Sequence, residues 1–143
     1  MSMNEVYAPK AMPRGVVLNV GNTTTKSGDP VHVGAFVGVA ETASDGGVGA
    51  GGYTGLYSQT TGVSVSGLQP NFCSVAIDGV FKLPVVTAAA AAAGDWVYIT
   101  NTNTLTTVAG TNTKFGILFE PIAGIVVAPG AAVMVKLIAF VTT

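Results

Sequence analysis

The sequence predicts an all-β protein, a small β-barrel or sandwich of short antiparallel strands. Apolar and polar residues alternate in short runs, turn-forming residues separate these runs, and one strand-turn module occurs twice. The module is Gly28-Asp29 followed by a short alternating strand at 30–33, and again Gly94-Asp95 followed by one at 96–99. A second apolar segment follows each copy, so we expect an internally duplicated chain.

The four residues of the two Gly-Asp pairs are predicted to be structural turn residues. Glycine adopts the left-handed backbone conformation that a tight turn requires, at little steric cost. An aspartate beside it accepts hydrogen bonds from nearby backbone N–H groups. We therefore assign Gly28, Asp29, Gly94 and Asp95 to turns and not to catalysis.

Composition indicates a single domain that associates with other chains. The 143 residues are one domain's length, and only 9% of them are charged whereas 49% are hydrophobic. Ordinary soluble domains carry about 25% charged residues. So few charges are typical of a protein whose outer faces are partly covered by copies of itself or by a large partner. We expect an oligomer or an assembly component.

Charge and hydropathy disfavour nucleic-acid and membrane partners. The formal net charge is −1 and the six basic residues are scattered, so no concentrated cationic face is expected for phosphate binding. The longest uncharged apolar stretch, 122–135, is shorter than the roughly 20 residues of a membrane span. It also contains Pro129-Gly130, which predicts a hairpin turn. No secretory signal is visible, and we expect the protein to stay where it is made until assembly.

The chain divides into an extended N-terminal arm, 1–14, and a single β-rich domain, 15–143. The arm contains two prolines and no sustained periodicity, which is typical either of a frayed end or of a tether. A glycine-rich segment at about 44–62 predicts a long loop, either mobile or packed on a neighbouring subunit. The alanine run 87–93 predicts a short helical segment. The predicted strands are 15–20, 31–33, 35–40, 63–66, 73–83, 96–100, 105–108, 114–120, 124–127 and 132–141.

No arrangement of residues predicts an active site, a metal or a cofactor. His32 is the only histidine and lies on a predicted strand, without a motif that would pair it with a nucleophile. Cys73 is the only cysteine and lies in an apolar segment, which predicts a buried reduced thiol. The acidic residues are isolated and mostly beside glycine or proline, so no carboxylate pair or calcium loop is expected.

Six short strand and turn motifs follow one another in a fixed order: SGDPVxVG from Ser27, GVA from Gly38, VxIxGVFxLP from Val75, GDxVY from Gly94, GIL from Gly116 and VxVxL from Val133. This order resembles the small phage proteins known as capsid cement, or decoration, proteins. The resemblance covers the chain from about Ser27 to Leu137. The Gly-rich segment is longer than is expected for that family, and residues 1–14 do not match it closely.

The resemblance implies a protein without enzymatic activity that binds the outer surface of an expanded icosahedral shell. It implies the major capsid protein as the partner, self-association as a homotrimer, and a location on the virion after assembly in the host cytoplasm. No cofactor, nucleic acid or membrane is implied. The arm is the candidate for holding the shell, through Val6, Tyr7, Pro9, Lys10, Met12 and Arg14.

A second hypothesis is a carbohydrate-binding or tail-associated β-domain. Trp96 and Tyr98 alternate on one predicted strand, and Tyr53 and Tyr57 follow the glycine-rich loop. Such aromatic side chains stack on sugars, although on strands they more often fill a core or a subunit interface. Both hypotheses describe a binding surface.

Overall fold

The fold is all-β and is described for residues 5–7, 15–45 and 70–138 of a computed structural model, with residues 5–7 described by their backbone alone. All the regular secondary structure in these ranges is β-strand. The alternation of apolar and polar residues therefore predicts the class correctly. The strands are β1 (Glu5–Tyr7), β2 (Gly15–Asn19), β3 (Pro30–Val33), β4 (Phe36–Ala40), β5 (Phe72–Ala76), β6 (Val80–Thr87), β7 (Trp96–Ile99), β8 (Leu105–Thr106), β9 (Thr113–Leu118) and β10 (Val126–Leu137).

The strands form two sheets, joined where the chain passes directly from β5 to β6. The larger sheet has the order β1-β6-β10-β9-β7-β8, and the smaller has the order β2-β5-β4-β3. All neighbouring strands are antiparallel except β6 and β8, which pair in parallel and bring the larger sheet back on itself. The predicted strand 73–83 is therefore two strands, interrupted at Asp78-Gly79 where the chain crosses between the sheets.

The core lies inside the larger sheet and extends to the smaller one. On β6, Phe81, Leu83 and Val85 are buried while Lys82 is exposed, as the strand's alternation requires. The same cluster includes Val37, Val39 and Ala76 from the smaller sheet, so the two sheets share one core. A second cluster packs in the smaller sheet around Val31, Ala40, Cys73 and Val75.

The predicted duplication is present in the backbone. Strands β2, β3, β4 and β5 lie in the order β2-β5-β4-β3, and β6, β7, β9 and β10 repeat it as β6-β10-β9-β7. This is a Greek key arrangement, with three strands in succession and the first beside the last. The registers agree as well, because Val31 lies opposite Gly38 just as Val97 lies opposite Gly116.

Hydrogen bonds outside the strands follow the same repeat. The Ser44 N–H donates to the Thr25 carbonyl over 3.1 Å, and the Ile122 N–H donates to the Ala91 carbonyl over 2.8 Å. Next to them, the Ser74 N–H donates to the Thr42 hydroxyl and the Met134 N–H to the Glu120 carboxylate. Each half therefore closes its last strand in the same way with a different side-chain oxygen.

The helix predicted over the alanine run does not form. Ala91 instead makes an antiparallel bridge with Ile122, accepting from and donating to its backbone. The Ala92 N–H is held by the Asp95 side chain. Isolated helices shorter than about 12 residues are marginal, so the bonds to the neighbouring loop outweigh alanine's helix propensity.

The hairpin predicted at Pro129-Gly130 is also wrong. Both residues lie within β10, and residues on either side of them pair with the same strand, β6. Val126 lies opposite Thr87 and Ala131 lies opposite Val85, so the chain carries extra residues between two continuous stretches of pairing. The pair produces a bulge in the strand and not a reversal. By contrast, residues 101–104, which separate the predicted strands 96–100 and 105–108, do form a turn between the antiparallel strands β7 and β8.

Candidate interaction surfaces

The two Gly-Asp turns have matching geometry. Gly28 and Gly94 have φ values of +95° and +97°. The Asp29 carboxylate accepts from the Lys26 N–H over 2.9 Å, and the Asp95 carboxylate accepts from the Ala92 N–H over 2.8 Å. These bonds close the turns three residues back along the chain, as an aspartate in such a turn is expected to do.

Each turn is also hydrogen-bonded to the last residue of the strand that pairs with the strand after the turn, β4 in the first copy and β9 in the second. The Gly28 N–H donates to the Ala40 carbonyl over 2.7 Å, and the Gly94 N–H donates to the Leu118 carbonyl over 2.8 Å. Asp29 and Asp95 accept in return through their backbone carbonyls, from Ala40 and Leu118. The turn residues are thus part of the framework that positions the surrounding surfaces.

Part of the predicted arm pairs with the domain. The backbone of β1 lies along the outer edge of β6, with Glu5 opposite Phe81 and Tyr7 opposite Val80. Strand β8 occupies the same edge further along. Of the predicted shell-binding residues, Val6 and Tyr7 belong to β1. Pro9, Lys10, Met12 and Arg14 lie outside the described residues, as do Tyr53, Tyr57 and the predicted strand 63–66.

An apolar surface, which we call the apolar end, is formed by loop 88–93 and the segment 119–131. The Thr87 hydroxyl donates to the Gly124 carbonyl over 2.7 Å, which holds the two segments side by side. Ile125 is 74% exposed, Val127 73% and Phe119 55%. Glu120 is the one charged residue in the two segments. Large apolar side chains this exposed, with so little charge around them, are typical of a surface that another molecule covers.

An aromatic groove is lined in part by residues 88–91 of the same loop. Trp96 and Tyr98 point away from the core, because their strand neighbours Val97 and Ile99 are buried. The Lys114 ammonium lies over the Trp96 ring, 4.4 Å from its centroid. The groove has a volume of about 380 Å³. Its lining consists of Ala88, Ala89, Ala90, Ala91, Asp95, Trp96, Tyr98, Thr107 and Val108.

The crossover between the sheets is held by an ion pair. The Lys136 ammonium lies 2.5 Å from the Asp78 carboxylate and also donates to the Leu137 carbonyl. This hydrogen bond from Lys136, together with one from the Gly79 N–H, lowers the pKa of Asp78 despite partial burial. The Asp78–Lys136 pair therefore connects the crossover to β10 and has a structural role.

His32 and Cys73, the single histidine and the single cysteine of the sequence, both lie in the framework of the fold. His32 is half-buried and its Nε2 lies 3.3 Å from the Thr113 hydroxyl, a contact between the two sheets. Cys73 is fully buried, as predicted, and burial raises the pKa of its thiol to about 11. Within the described ranges, no three His, Cys, Asp or Glu side chains converge on a point where a metal could bind. Nor do these ranges contain a helix with the length and apolarity of a membrane span.

Sequence reasoning missed both the apolar end and the shape of the aromatic groove. The alternation of Trp96 and Tyr98 indicates a shared face of β7, but the alanine loop that walls the groove has the composition of a helix. The sequence does not mark Ile125 and Val127 as exposed, because they lie in an uninterrupted apolar run, 125–128, in which no polar residue identifies the outer face.

The fold and its surfaces are those of a small β-rich domain with exposed apolar and aromatic faces. In a comparison with known families, the model of the phage cement proteins matches residues 59–137, more than half of the chain. The chain belongs to the phage cement protein family. It is therefore a structural protein associated with a phage capsid. No curated protein and no solved structure gives a significant match.

Proposed function

We propose that the protein is a capsid decoration protein that binds the outer surface of an expanded icosahedral head and stabilises it by bridging neighbouring capsomers. The family match carries this proposal, and the sparse charge and the apolar end support it. The partner is the major capsid protein, and the protein reaches the virion from the host cytoplasm. A homotrimer would engage three contacts at once, so modest contacts give a high effective affinity. A protein that binds the expanded lattice but not the unexpanded one stabilises the expanded lattice by mass action.

We assign shell binding to the N-terminal arm. The pairing of β1 with β6 supports this assignment, because it anchors one part of the arm on the domain and gives the residues after it a fixed starting point. Pro9, Lys10, Met12 and Arg14 supply apolar contacts and positive charge in an otherwise charge-poor chain. These residues would reach the shell while β1 stays on the sheet.

Co-sedimentation with purified capsids of the encoding phage tests the function. Saturable binding to expanded shells, at a fixed ratio to the major capsid protein, is expected, with little binding to unexpanded shells. The ratio reports whether trimers decorate the lattice. Equal binding to both forms, or none to either, would contradict the proposal.

The arm assignment needs a variant that preserves β1. Replacing Pro9, Lys10, Met12 and Arg14 by serine leaves the Glu5–Tyr7 pairing intact and should abolish co-sedimentation without changing the melting temperature. The double variant Lys26→Ser and Lys82→Ser removes two exposed charges from the domain and should bind as before. Loss of binding in the double variant, or retention in the arm variant, would place the contact elsewhere.

A further inference from the structure

The aromatic groove is one of two grooves at equivalent positions in the duplicated fold. The second groove, of about 250 Å³, lies beside the Asp29 turn and the first lies beside the Asp95 turn. The second is lined by Asn22, Thr24, Thr25, Asp29, Pro30, Thr102 and Asn103. Its wall residues 22–25 precede Asp29 by the same spacing as Ala88–Ala91 precede Asp95. The backbone has been kept while the lining has changed.

The change in lining concentrates aromatic groups in one groove. Trp96 occupies the position of Pro30 and Tyr98 that of His32, while alanines replace the polar wall. Neither aromatic residue belongs to the buried core cluster. Packing of the domain therefore does not account for two partly exposed aromatic side chains on this strand.

We propose that the groove beside Trp96 binds a neutral saccharide. The C–H groups of a sugar ring pack favourably on the negative face of an aromatic ring, here the Trp96 face that Lys114 does not cover. The hydroxyls of Tyr98 and Thr107 and the carboxylate of Asp95 supply donors and acceptors for sugar hydroxyls. The groove lies near the lower end of the roughly 300–1,000 Å³ of ligand pockets, the size for a monosaccharide or a disaccharide.

The charge of the groove selects the class of sugar. Asp95 is the charged residue of its lining, and its position is fixed by the hydrogen bond from the Ala92 N–H. This carboxylate accepts from the hydroxyl or amide groups of a neutral sugar, and its charge offsets that of the Lys114 ammonium over Trp96, so the groove has no excess positive charge to attract an acidic sugar. Neutral hexoses and N-acetylhexosamines should therefore bind better than N-acetylneuraminic acid. Copies repeated on a capsid would convert weak single sites into strong attachment to a glycan surface.

Intrinsic fluorescence of the free protein tests the site directly, because Trp96 is the only tryptophan. Titration with glucose, galactose and N-acetylglucosamine should give a saturable change in its emission for at least one sugar. Ala90→Gln places a larger neutral side chain in the groove wall and should weaken that affinity at least tenfold. Ala93→Gln, in the same exposed loop but outside the lining, is the matched control and should bind as the wild type.

The titration contains no capsid, so a failure to bind sugar is distinguishable from a failure of the proposed capsid binding. No emission change up to the solubility limit of each sugar, or unchanged affinity in Ala90→Gln, would overturn the site. Preference for N-acetylneuraminic acid would overturn the assignment to neutral sugars. Dissociation of the oligomer by Ala90→Gln, without any sugar binding by the wild type, would show that the groove is a subunit interface.

Discussion

Replacing Gly116 with alanine should destabilise the domain strongly, because two strands approach each other closely at this residue. A Cβ atom at Gly116 would lie 2.9 Å from the Val135 side chain and closer still to the Lys136 backbone carbonyl. The carbonyl belongs to β10 and cannot move without disturbing the pairing of β9 with β10. Overpacking of this kind costs about 1–3 kcal/mol, and a backbone obstacle places Gly116→Ala near the upper value.

Thermal unfolding followed by circular dichroism measures this cost. For a domain of this size about 3 kcal/mol lowers the melting temperature by roughly 10 °C. Gly124→Ala is the matched control, because a Cβ atom there meets nothing within 4 Å, and it should melt within about 2 °C of the wild type. Gly38→Ala should resemble Gly116→Ala, because its Cβ would lie 2.6 Å from the Val75 side chain. Equal melting temperatures for Gly116→Ala and Gly124→Ala would refute the close-approach argument.

Three further predictions concern side chains. Lys136 lowers the pKa of Asp78, so the pair stabilises the fold above about pH 4 and this contribution is lost as the pH falls through the lowered pKa. Asp78→Asn should cost about 0.5–1 kcal/mol in urea unfolding at neutral pH and nothing in strong acid; an equal cost at both would contradict the ion pair. Cys73 should resist a thiol reagent at about pH 8 until urea unfolds the protein, and rapid native labelling would show that the thiol is accessible. Asp29→Ala and Asp95→Ala should each lower the free energy of unfolding by about 1 kcal/mol. A variant as stable as the wild type would show that the side-chain hydrogen bond does not stabilise its turn.

The elements that sequence predicted well are local. The Gly-Asp turns form because a carboxylate bonds to an N–H three residues away, so both partners lie within one short segment. The burial of Phe81 and Leu83 follows from their alternation with Lys82 on one strand. The second copy of the module indicated duplication, and the registers of Gly38 and Gly116 confirm it.

The elements that sequence predicted wrongly depend on distant neighbours. Alanine has a high helix propensity, but the bonds between Ala91 and Ile122 join residues far apart in sequence. Pro129-Gly130 is a frequent turn pair, yet β6 pairs with β10 on both sides of it. Local propensity describes an isolated segment and carries no information on which strand will lie beside it.

By itself the sequence determined the all-β class, the duplicated module, the turn residues and a family resemblance that the phage cement model confirms over residues 59–137. These depend on the spacing of residues along the chain, which alternation and turn chemistry specify directly. Only the tertiary structure decided that β1 pairs with β6, that Ile125 is exposed and that Trp96 shares a groove with the alanine loop. The same alternation is compatible with many strand orders and registers, and the choice among them is made by hydrogen bonds and packing between residues that are distant in sequence.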